Sequence, residues 1–335
     1  MARAGLSVAL LERGNFPGEK NVFGGVLHRL TALEDVFPDF WDQAPLERHI
    51  VKKTLTFMTE GSSFNVSFDN EKADEPPYNG YTIFRPKFDN WLAQEAVKAG
   101  ATLLNCSTVD DVITENGKVV GVTMLRDAAE LRAPVVIAAD GVLSFTAQKA
   151  GLRRGKFKSA NQGVCVKALI DMPKEVIDDR FGLVRDQGAS NEIVGNTSGV
   201  RGGTFLYTNY DSLSLGMVLE LESLTKKGQT PYDLLNTIMQ QPQMDKLLRG
   251  GKLLEYSAHL VPKGGYEMMP ELVGDGIMVA GDAAAFCIIT GLNLEGINLA
   301  TQSGVLAGKA AIEAHQQRDF SKTGLATYRK SLEES

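Results

Sequence analysis

Asp282 is well placed in this sequence to bind a polar ligand. The four apolar residues 277–280 predict a short buried strand, and Gly281 permits the tight turn that puts one carboxylate at its end. A helix pattern follows over residues 293–314. An acid after a buried strand, next to a helix N-terminus, is typical of the open α/β sheets that hold polar cofactors. The stretch therefore predicts a seat for a flavin.

A second acid, Glu12, follows residues 6–11, which predict another buried strand. In a dinucleotide-binding βαβ unit, an acid at the end of the second strand hydrogen-bonds the ribose hydroxyls. The sequence before Glu12 lacks the Gly-x-Gly-x-x-Gly turn of such a unit and begins within the expected helix. Glu12 is accordingly either a ribose ligand or the surface end of a strand.

Other positions have residue types that suit a cofactor site. Gly24 and Gly25 would let the backbone approach a flat ligand closely, with a plain loop as the alternative. Arg85 stands directly before a predicted helix, where a surface ion pair is the alternative. Asp140 and Gly141 end a third predicted buried strand.

Composition and charge narrow the class of protein. Of the 335 residues, 43% are hydrophobic and 23% charged, which is ordinary for a globular protein. The net charge of -6 argues against a nucleic-acid surface or a polybasic anchor. The longest apolar stretch, residues 277–292, is interrupted by Asp282 and is shorter than the roughly 20 residues of a spanning helix. We therefore expect a soluble protein that at most rests on a membrane.

The three cysteines, Cys106, Cys165 and Cys287, are far apart and include no Cys-x-x-Cys pair. They predict buried thiols in a reducing cytoplasm, and by themselves they cannot form a zinc site or an iron–sulfur cluster. The sequence contains no visible acid–base triad either. We therefore expect no metal ligands and no catalytic side chain in this chain.

The order of the predicted elements indicates how the candidate residues are positioned. Residues 108–124 predict a hairpin around an Asn-Gly turn, and residues 158–260 predict antiparallel strands with helical insertions. Within that block, residues 213–221 alternate apolar with small or polar side chains, which predicts a half-buried strand with one core face. Residues 230–248 begin with a capping pattern and predict one helix.

Together these motifs resemble those of FAD-dependent enzymes with a glutathione-reductase-like fold. The matching residues come in the order Glu12-Arg13, Arg85-Pro86-Lys87-Phe88-Asp89, Asp140-Gly141 and Gly281-Asp282-Ala283-Ala284. Within that group the chain is similar to the family of FixC, the flavoprotein subunit of FixABCX, which is related to electron-transfer-flavoprotein:quinone oxidoreductase. The narrower resemblance rests on Glu47-Arg48-His49 and on residues 21–27 and 255–262.

The resemblance implies FAD bound in an extended form. Glu12 would bind the adenosine ribose and Asp282 the ribityl chain. Gly24 and Gly25 would lie near the isoalloxazine, and Arg85 near the flavin or its phosphates. The turn of residues 291–293 would direct N–H groups and about half a positive charge at the N1/O2 edge. The full implied set is Glu12, Arg13, Gly24, Gly25, Arg85, Val109, Asp140, Gly141, Gly281, Asp282, Gly291, Leu292 and Asn293.

The implied fold class is α/β (α+β overall), with a Rossmann-like FAD-binding domain that carries an inserted β-meander. A discontinuous antiparallel β-sheet cap domain completes the fold. We expect the FAD-binding domain, without its first strand and Gly-rich turn, to comprise residues 1–49, 81–156 and 263–316. The cap or quinone domain would comprise residues 50–80 and 157–262, and residues 317–335 would begin a C-terminal region. Both ends are expected to be truncated relative to the family.

The implied function is electron transfer from an electron-transfer flavoprotein to a quinone, in electron transport linked to nitrogen fixation. The expected partners are electron-transfer flavoprotein subunits, a separate ferredoxin-like iron–sulfur subunit and a quinone, but no nucleic acid. The expected location is the cytoplasm, with peripheral contact to the inner face of the cell membrane. A flavin monooxygenase or geranylgeranyl-reductase-like enzyme on the same fold is the first alternative, and an FAD-free fragment without activity is the second.

Overall fold

The computed structural model describes residues 1–21, 24–28, 31–155, 157–289 and 294–335. Its strands are β1 (Ala9–Leu11), β2 (Gly25–His28), β3 (Leu46–Thr59), β4 (Ser62–Asp69), β5 (Gly80–Ile83), β6 (Thr102–Leu104), β7 (Val109–Glu115), β8 (Lys118–Met124), β9 (Glu130–Arg132), β10 (Val136–Ala138), β11 (Gln162–Asp171), β12 (Gln187–Val194), β13 (Gly202–Thr208), β14 (Ser212–Glu220), β15 (Lys252–Pro262), β16 (Val273–Gly274), β17 (Ile277–Val279), β18 (Ile288–Ile289) and β19 (Leu294–Glu295). Its α-helices are α1 (Thr31–Glu34), α2 (Arg85–Lys98), α3 (Phe145–Lys149), α4 (Lys174–Phe181), α5 (Leu221–Lys227), α6 (Pro231–Met239), α7 (Pro242–Leu248), α8 (Ile297–Gln317) and α9 (Thr327–Glu333).

The largest sheet has nine strands in the order β15-β11-β14-β13-β12-β3-β5-β2, with β4 paired to β3. The β12–β3 pair is parallel, and the pairs on either side of it are antiparallel. One face of this sheet packs against helices α4 to α7 in the largest apolar core cluster, to which Leu215 and Ile238 belong. The other face carries a smaller apolar cluster, which includes Phe205 and Tyr207.

Strand β14 is buried along its whole length, so the prediction of a half-buried strand with one core face is wrong. Leu215 and Met217 lie in the core between sheet and helices. The opposite face is also covered, because the ring of Phe205 lies across Gly216, where an added Cβ would be 2.3 Å from Phe205 Cζ. The alternation in the sequence thus reflects two buried faces of β14, one packed against the helices and one covered by Phe205.

The helix predicted over residues 230–248 is divided into α6 and α7. The Thr230 hydroxyl accepts a hydrogen bond from the Asp233 N–H at 3.1 Å, which is the N-cap expected from the sequence. Helix α6 ends at Met239, because Pro242 has no N–H with which to continue the hydrogen-bond ladder. The same proline is favourable in the first turn of α7.

Two parallel strand pairs form the Rossmann-like part of the molecule. Strand β1 pairs with β6 and β10 pairs with β17, while β7, β8 and β9 form the predicted meander. The strand predicted as buried over residues 6–11 is shorter, and Ala9 and Leu10 are exposed. That prediction is wrong because, among the described strands, β6 is the one partner of β1.

Helix α8 begins later than the predicted residue 293. Leu294 and Glu295 form β19, which is antiparallel to β18, and α8 starts at Ile297 after Gly296. A residue paired in a strand has extended backbone, so the helix cannot include residues up to Glu295.

The C-terminal residues pack against the strand that precedes Asp282. Leu325 and Tyr328 are fully buried in the same apolar cluster as Met278 and Val279. The Tyr328 hydroxyl donates a hydrogen bond to the carbonyl oxygen of Val279 at 2.9 Å. This contact ties the C-terminal residues to the end of β17.

Candidate functional site

Asp282 lies in a short 3-10 helix, Gly281–Ala284, at the end of β17. Gly281 has a φ of +64°, and its N–H donates to the hydroxyl of Ser303 on α8 at 2.9 Å, which fixes the turn. Burial raises the pKa of the Asp282 carboxyl, and the charge of Arg85 partly opposes this effect. No described residue donates a hydrogen bond to that carboxylate. A half-buried acceptor of this kind suits the hydroxyl groups of a ligand such as the ribityl chain.

Arg85 is held by Asp89 at the start of α2. Its guanidinium donates from Nε to Oδ1 at 2.8 Å and from Nη2 to Oδ2 at 2.9 Å. Burial alone would lower the pKa of Arg85, but the carboxylates of Asp89 and Asp282 offset it and leave the pKa raised. Arg85 thus forms an ion pair with Asp89, and an ion pair was the alternative to a cofactor contact at this position. It also lies close enough to Asp282 for the two charges to interact.

Lys167, on β11, belongs to the site although the sequence analysis did not select it. Its side chain is only 7% exposed, and its Nζ donates to the carbonyl oxygen of Gly24 at 2.6 Å. Burial lowers the pKa of Lys167, which Cys165 opposes and Arg85 reinforces. The signal available in the sequence was a lysine between Val166 and Ala168 in an otherwise apolar strand.

His259, on β15, joins the same group of basic side chains. It stands directly opposite Cys165 in the β11–β15 pair. Burial lowers the pKa of His259, and the charges of Arg85, Lys167 and Arg13 lower it further. The imidazole is therefore neutral at neutral pH. Arg13 and Arg85, predicted from separate motifs, are brought into one electropositive region, which suits phosphates and electron-rich rings.

Gly24 and Gly25 connect this region to α8 and to the floor of the large sheet. Gly24 has a φ of +67°, and an added Cβ would lie 2.9 Å from the hydroxyl oxygen of Ser214. A Cβ on Gly25 would lie 3.3 Å from the Cδ1 atom of Ile297. Part of the need for glycine at these two positions is therefore close packing within the protein.

The remaining predicted positions lie at three other places. Glu12 follows β1 and accepts a hydrogen bond from the Gly14 N–H at 2.6 Å. Asp140 is exposed after β10 and accepts from the Thr146 N–H at 2.9 Å, so that its carboxylate caps α3. Gly141 follows it with a φ of +79°. Val109 is the first, half-buried residue of β7. Gly291, Leu292 and Asn293 lie outside the described residues.

Residues Glu47, Arg48 and His49, which carried part of the narrower resemblance, have structural contacts. Arg48 is completely buried; its Nε donates to the carbonyl oxygen of Asn209 and its Nη1 to Asp178 Oδ1, both at 2.6 Å. His49 Nε2 lies 2.6 Å from Asp74 Oδ1. These contacts link β3 to α4, to the turn between β13 and β14, and to Asp74.

Two neighbouring cavities lie near the basic region. The inner cavity, with about 530 Å³ of empty space including its mouth, is lined by Val26, His28, Glu192, Phe205, Tyr207 and Leu294, among others. The outer cavity, with about 770 Å³ on the same measure, is lined by His28, Lys53, Phe68, Asn70, Asn79 and Glu295, among others. His28 lines both of them.

The described residues contain neither a membrane-spanning helix nor a metal-binding cluster. No helix there is long and apolar enough to cross a bilayer. No group of three or more histidine, cysteine, aspartate or glutamate side chains in that part of the chain is arranged to hold a metal ion.

Curated proteins with established names are similar to this chain over almost its whole length. FixC of Escherichia coli O157:H7 is 44% identical over 334 residues, which is 99% of this chain and 77% of the relative. The probable electron transfer flavoprotein-quinone oxidoreductase YdiS of Escherichia coli strain K12 is 41% identical over 336 residues, 100% of this chain and 77% of YdiS. No protein-family model matches the sequence.

Solved flavoprotein structures have the same fold. A geranylgeranyl bacteriochlorophyll reductase-like protein from Thermoplasma acidophilum superposes with a TM-score of 0.80 at 23% identity, covering 99% of this chain and 78% of its own. The myxobacterial FAD-dependent halogenase CndH superposes with a TM-score of 0.74 at 20% identity, covering 99% and 74%. The predicted fold class, α/β with a Rossmann-like domain, is confirmed. The domain boundaries stay a prediction.

Proposed function

Because the chain belongs to the family of FixC and the electron-transfer-flavoprotein:quinone oxidoreductases, we propose that it accepts electrons from an electron-transfer flavoprotein and passes them to a quinone. The chain is an FAD-dependent electron-transfer oxidoreductase, as the sequence motifs predicted. The observation that carries the proposal is the identity of 41–44% to FixC and YdiS over 99% or more of this chain. Its link to nitrogen fixation is part of the proposal.

The side chains of the site support this role. FAD supplies the one- and two-electron chemistry, and the protein binds and orients it. In the proposal Asp282 accepts hydrogen bonds from the ribityl hydroxyls, while Arg13, Arg85 and Lys167 stabilise negative charge on the phosphates and on the reduced ring. Neutral His259 packs beside them. The other proposed cofactor contacts are Glu12, Gly24, Gly25, Val109, Asp140, Gly141, Gly281, Gly291, Leu292 and Asn293.

We further propose that electrons also reach a separate ferredoxin-like iron–sulfur subunit. The three cysteines of this sequence have no Cys-x-x-Cys spacing, so an iron–sulfur cluster would need ligands from elsewhere. Reconstitution of electron transfer with a purified ferredoxin-like partner is the test of this part.

The β3–β4 hairpin supports contact with the cytoplasmic face of a membrane. On β4, Phe64, Val66 and Phe68 alternate on one face and are 52–65% exposed, and Phe57 on β3 stacks on Phe64 with ring centres 6.5 Å apart. Exposed apolar patches of this kind mark sites that bind proteins or membranes. Flotation with phosphatidylglycerol vesicles should carry the protein upward and should fail for the Phe64→Ser, Phe68→Ser double variant.

The decisive experiment is rapid mixing of the FAD-loaded protein with reduced electron-transfer flavoprotein, followed by a quinone. Flavin reduction and quinone turnover are the expected results. Flavin reduction by NAD(P)H without a flavoprotein donor would instead favour a monooxygenase or a geranylgeranyl-reductase-like enzyme. A purified chain without flavin absorbance, and unable to take up added FAD, would identify an inactive fragment.

A further inference from the structure

One row of cross-strand neighbours crosses the floor of the site. From Lys167 it passes through Gly216 and Phe205 to Glu192. It continues to Leu55 on β3 and then to the exposed hairpin. Residues directly opposite each other in neighbouring strands share one face of the sheet. Glu192 therefore lies on the same face as Lys167, with the ring of Phe205 between them.

Glu192 stands on the floor of the inner cavity with features of a proton donor. Its Oε1 accepts a hydrogen bond from the buried Ser190 hydroxyl at 2.6 Å. Burial raises the pKa of Glu192, while Ser190 and the charge of Lys53 oppose it, so that the acid keeps its proton to a higher pH. The rings of Phe205 and Tyr207 stack beside it with centres 4.7 Å apart, which suits a flat ring as the cavity's occupant.

His28 lines the same cavity. It also lines the outer cavity, whose polar lining includes Lys53, Asn70 and Glu295. Burial and the charge of Lys53 lower the pKa of His28, and Glu295 raises it. The neutral imidazole can accept a proton at one ring nitrogen and donate one from the other. Its position joins the two cavities.

We propose that Glu192 and His28 deliver protons to a quinone that is reduced in the inner cavity. The inference rests on the proposed function, which supplies the electrons from reduced FAD. A quinone takes up two electrons and two protons to become a quinol. Glu192 breaks its O–H bond as a quinone oxygen gains the proton. His28 then accepts a proton from solvent in the outer cavity at one ring nitrogen as it gives the proton of its other ring nitrogen to the carboxylate, and the second proton follows the same route.

Two electron acceptors allow this proposal to be tested separately from the proposed function. Duroquinone takes up protons with its electrons, whereas ferricenium takes one electron and no proton. With reduced electron-transfer flavoprotein as donor, Glu192→Gln should lower kcat for duroquinone about a hundredfold, a usual contribution of a general acid. The rate with ferricenium should stay within about twofold. The matched control is Glu222→Gln, because Glu222 lies on α5 and pairs with Lys226.

The outcomes are distinguishable. If the unaltered protein accepts electrons from the flavoprotein but never reduces duroquinone, the proposed function fails. If it reduces duroquinone and Glu192→Gln does so equally fast, only the proton route is overturned. If Glu192→Gln does not bind FAD, the pH dependence of the unaltered protein tests the proton route instead. Its duroquinone-to-ferricenium rate ratio should fall as pH rises through the pKa of Glu192, and a constant ratio overturns the route.

Binding of duroquinone to the oxidised protein, without a donor, gives a readout that does not depend on activity. The bound ring removes water from Glu192, so calorimetry in two buffers of different ionisation heat should register proton uptake. Uptake should vanish in Glu192→Gln while the affinity stays within about threefold; no uptake by the unaltered protein at any pH contradicts the proposal. His28→Gln should slow multiple turnovers and spare the first, since it removes only the return of protons.

Discussion

The Lys167 ammonium donates a hydrogen bond to the carbonyl oxygen of Gly24 at 2.6 Å, from the middle of β11 to the segment that leads into β2. One buried cation thus holds the glycine pair over the floor of the large sheet. Its Nζ also lies 5.4 Å from the centre of the Phe205 ring. Lys167 therefore joins the electropositive region to the row of residues that includes Glu192.

Replacing Lys167 should make the bound flavin harder to reduce. Lys167→Met removes a buried positive charge that stabilises the reduced, more negative cofactor. A loss of about 1.5–3 kcal/mol, as for hydrogen bonds to charged groups, corresponds to a two-electron potential lowered by roughly 30–60 mV. Spectroelectrochemical titration measures it, with Lys246→Met on the exposed face of α7 as control. A variant that binds FAD at an unchanged potential would exclude this role for Lys167.

The stability of the segment around Asp282 and Cys287 should depend on Gly264. This residue has a φ of +75°, and an added Cβ would lie 1.3 Å from the carbonyl oxygen of Cys287. Gly264→Ala should therefore lower the free energy of unfolding by about 3 kcal/mol or more, at or above the usual cost of overpacking. Urea denaturation measures the change.

Gly265 offers the matched control for that substitution. Its φ is +98°, but an added Cβ would meet no atom within 4 Å. Gly265→Ala should cost only the backbone strain of about 1–2 kcal/mol. Equal losses in the two variants would mean that the crossing of residues 264 and 287 does not limit stability.

Local patterns were enough to select Asp282, Arg85 and Gly24 as candidates, because each stands at the boundary of an element with its own signature. The break between α6 and α7 within residues 230–248 could also be predicted from local sequence, because Pro242 interrupts the helix pattern. In contrast, the alternation in β14 could not tell a solvated face from one covered by Phe205. Periodicity reports a difference between two faces and does not identify what covers them.

His259 and Glu192 could not be found in this way. The register that sets Cys165 opposite His259 joins residues 94 positions apart, and such pairing follows from the whole sheet. Helix α8 begins at Ile297 and not at the predicted residue 293, because Leu294 and Glu295 form a short strand with β18. Strands of two residues have no pattern that a sequence could show.

Tyr328 should contribute to stability through one hydrogen bond and through its buried ring. Tyr328→Phe leaves the Val279 carbonyl oxygen without this donor and should cost about 1 kcal/mol of unfolding free energy. Tyr328→Ala also empties the space of a fully buried ring and should cost about 3–5 kcal/mol. Tyr232→Phe, at a half-exposed position, should change it by less than about 0.5 kcal/mol. Similar values for all three variants would show that the C-terminal residues do not support β17.

The Asp282 carboxylate should lower the unfolding free energy of the FAD-free protein and raise the affinity of the protein for FAD. Its pKa is raised by burial in the folded chain, so between the unfolded and folded pKa values the folded state binds more protons. The unfolding free energy of the FAD-free protein should therefore fall as pH rises through that range. Asp282→Asn should be more stable than the unaltered FAD-free protein at neutral pH, and the difference should disappear below the unfolded pKa of aspartate.

The same substitution should have the opposite effect on cofactor binding. Asp282→Asn removes the negative charge that accepts the ribityl hydroxyls, and a hydrogen bond to a charged group is worth about 1.5–3 kcal/mol. The dissociation constant of FAD for Asp282→Asn should accordingly rise about 10- to 100-fold. Fluorescence titration measures the affinity, and urea denaturation over a pH series measures the stability, with exposed Asp179→Asn on α4 as control. If Asp282→Asn binds FAD as tightly as the unaltered protein, this carboxylate is not a ligand of the cofactor.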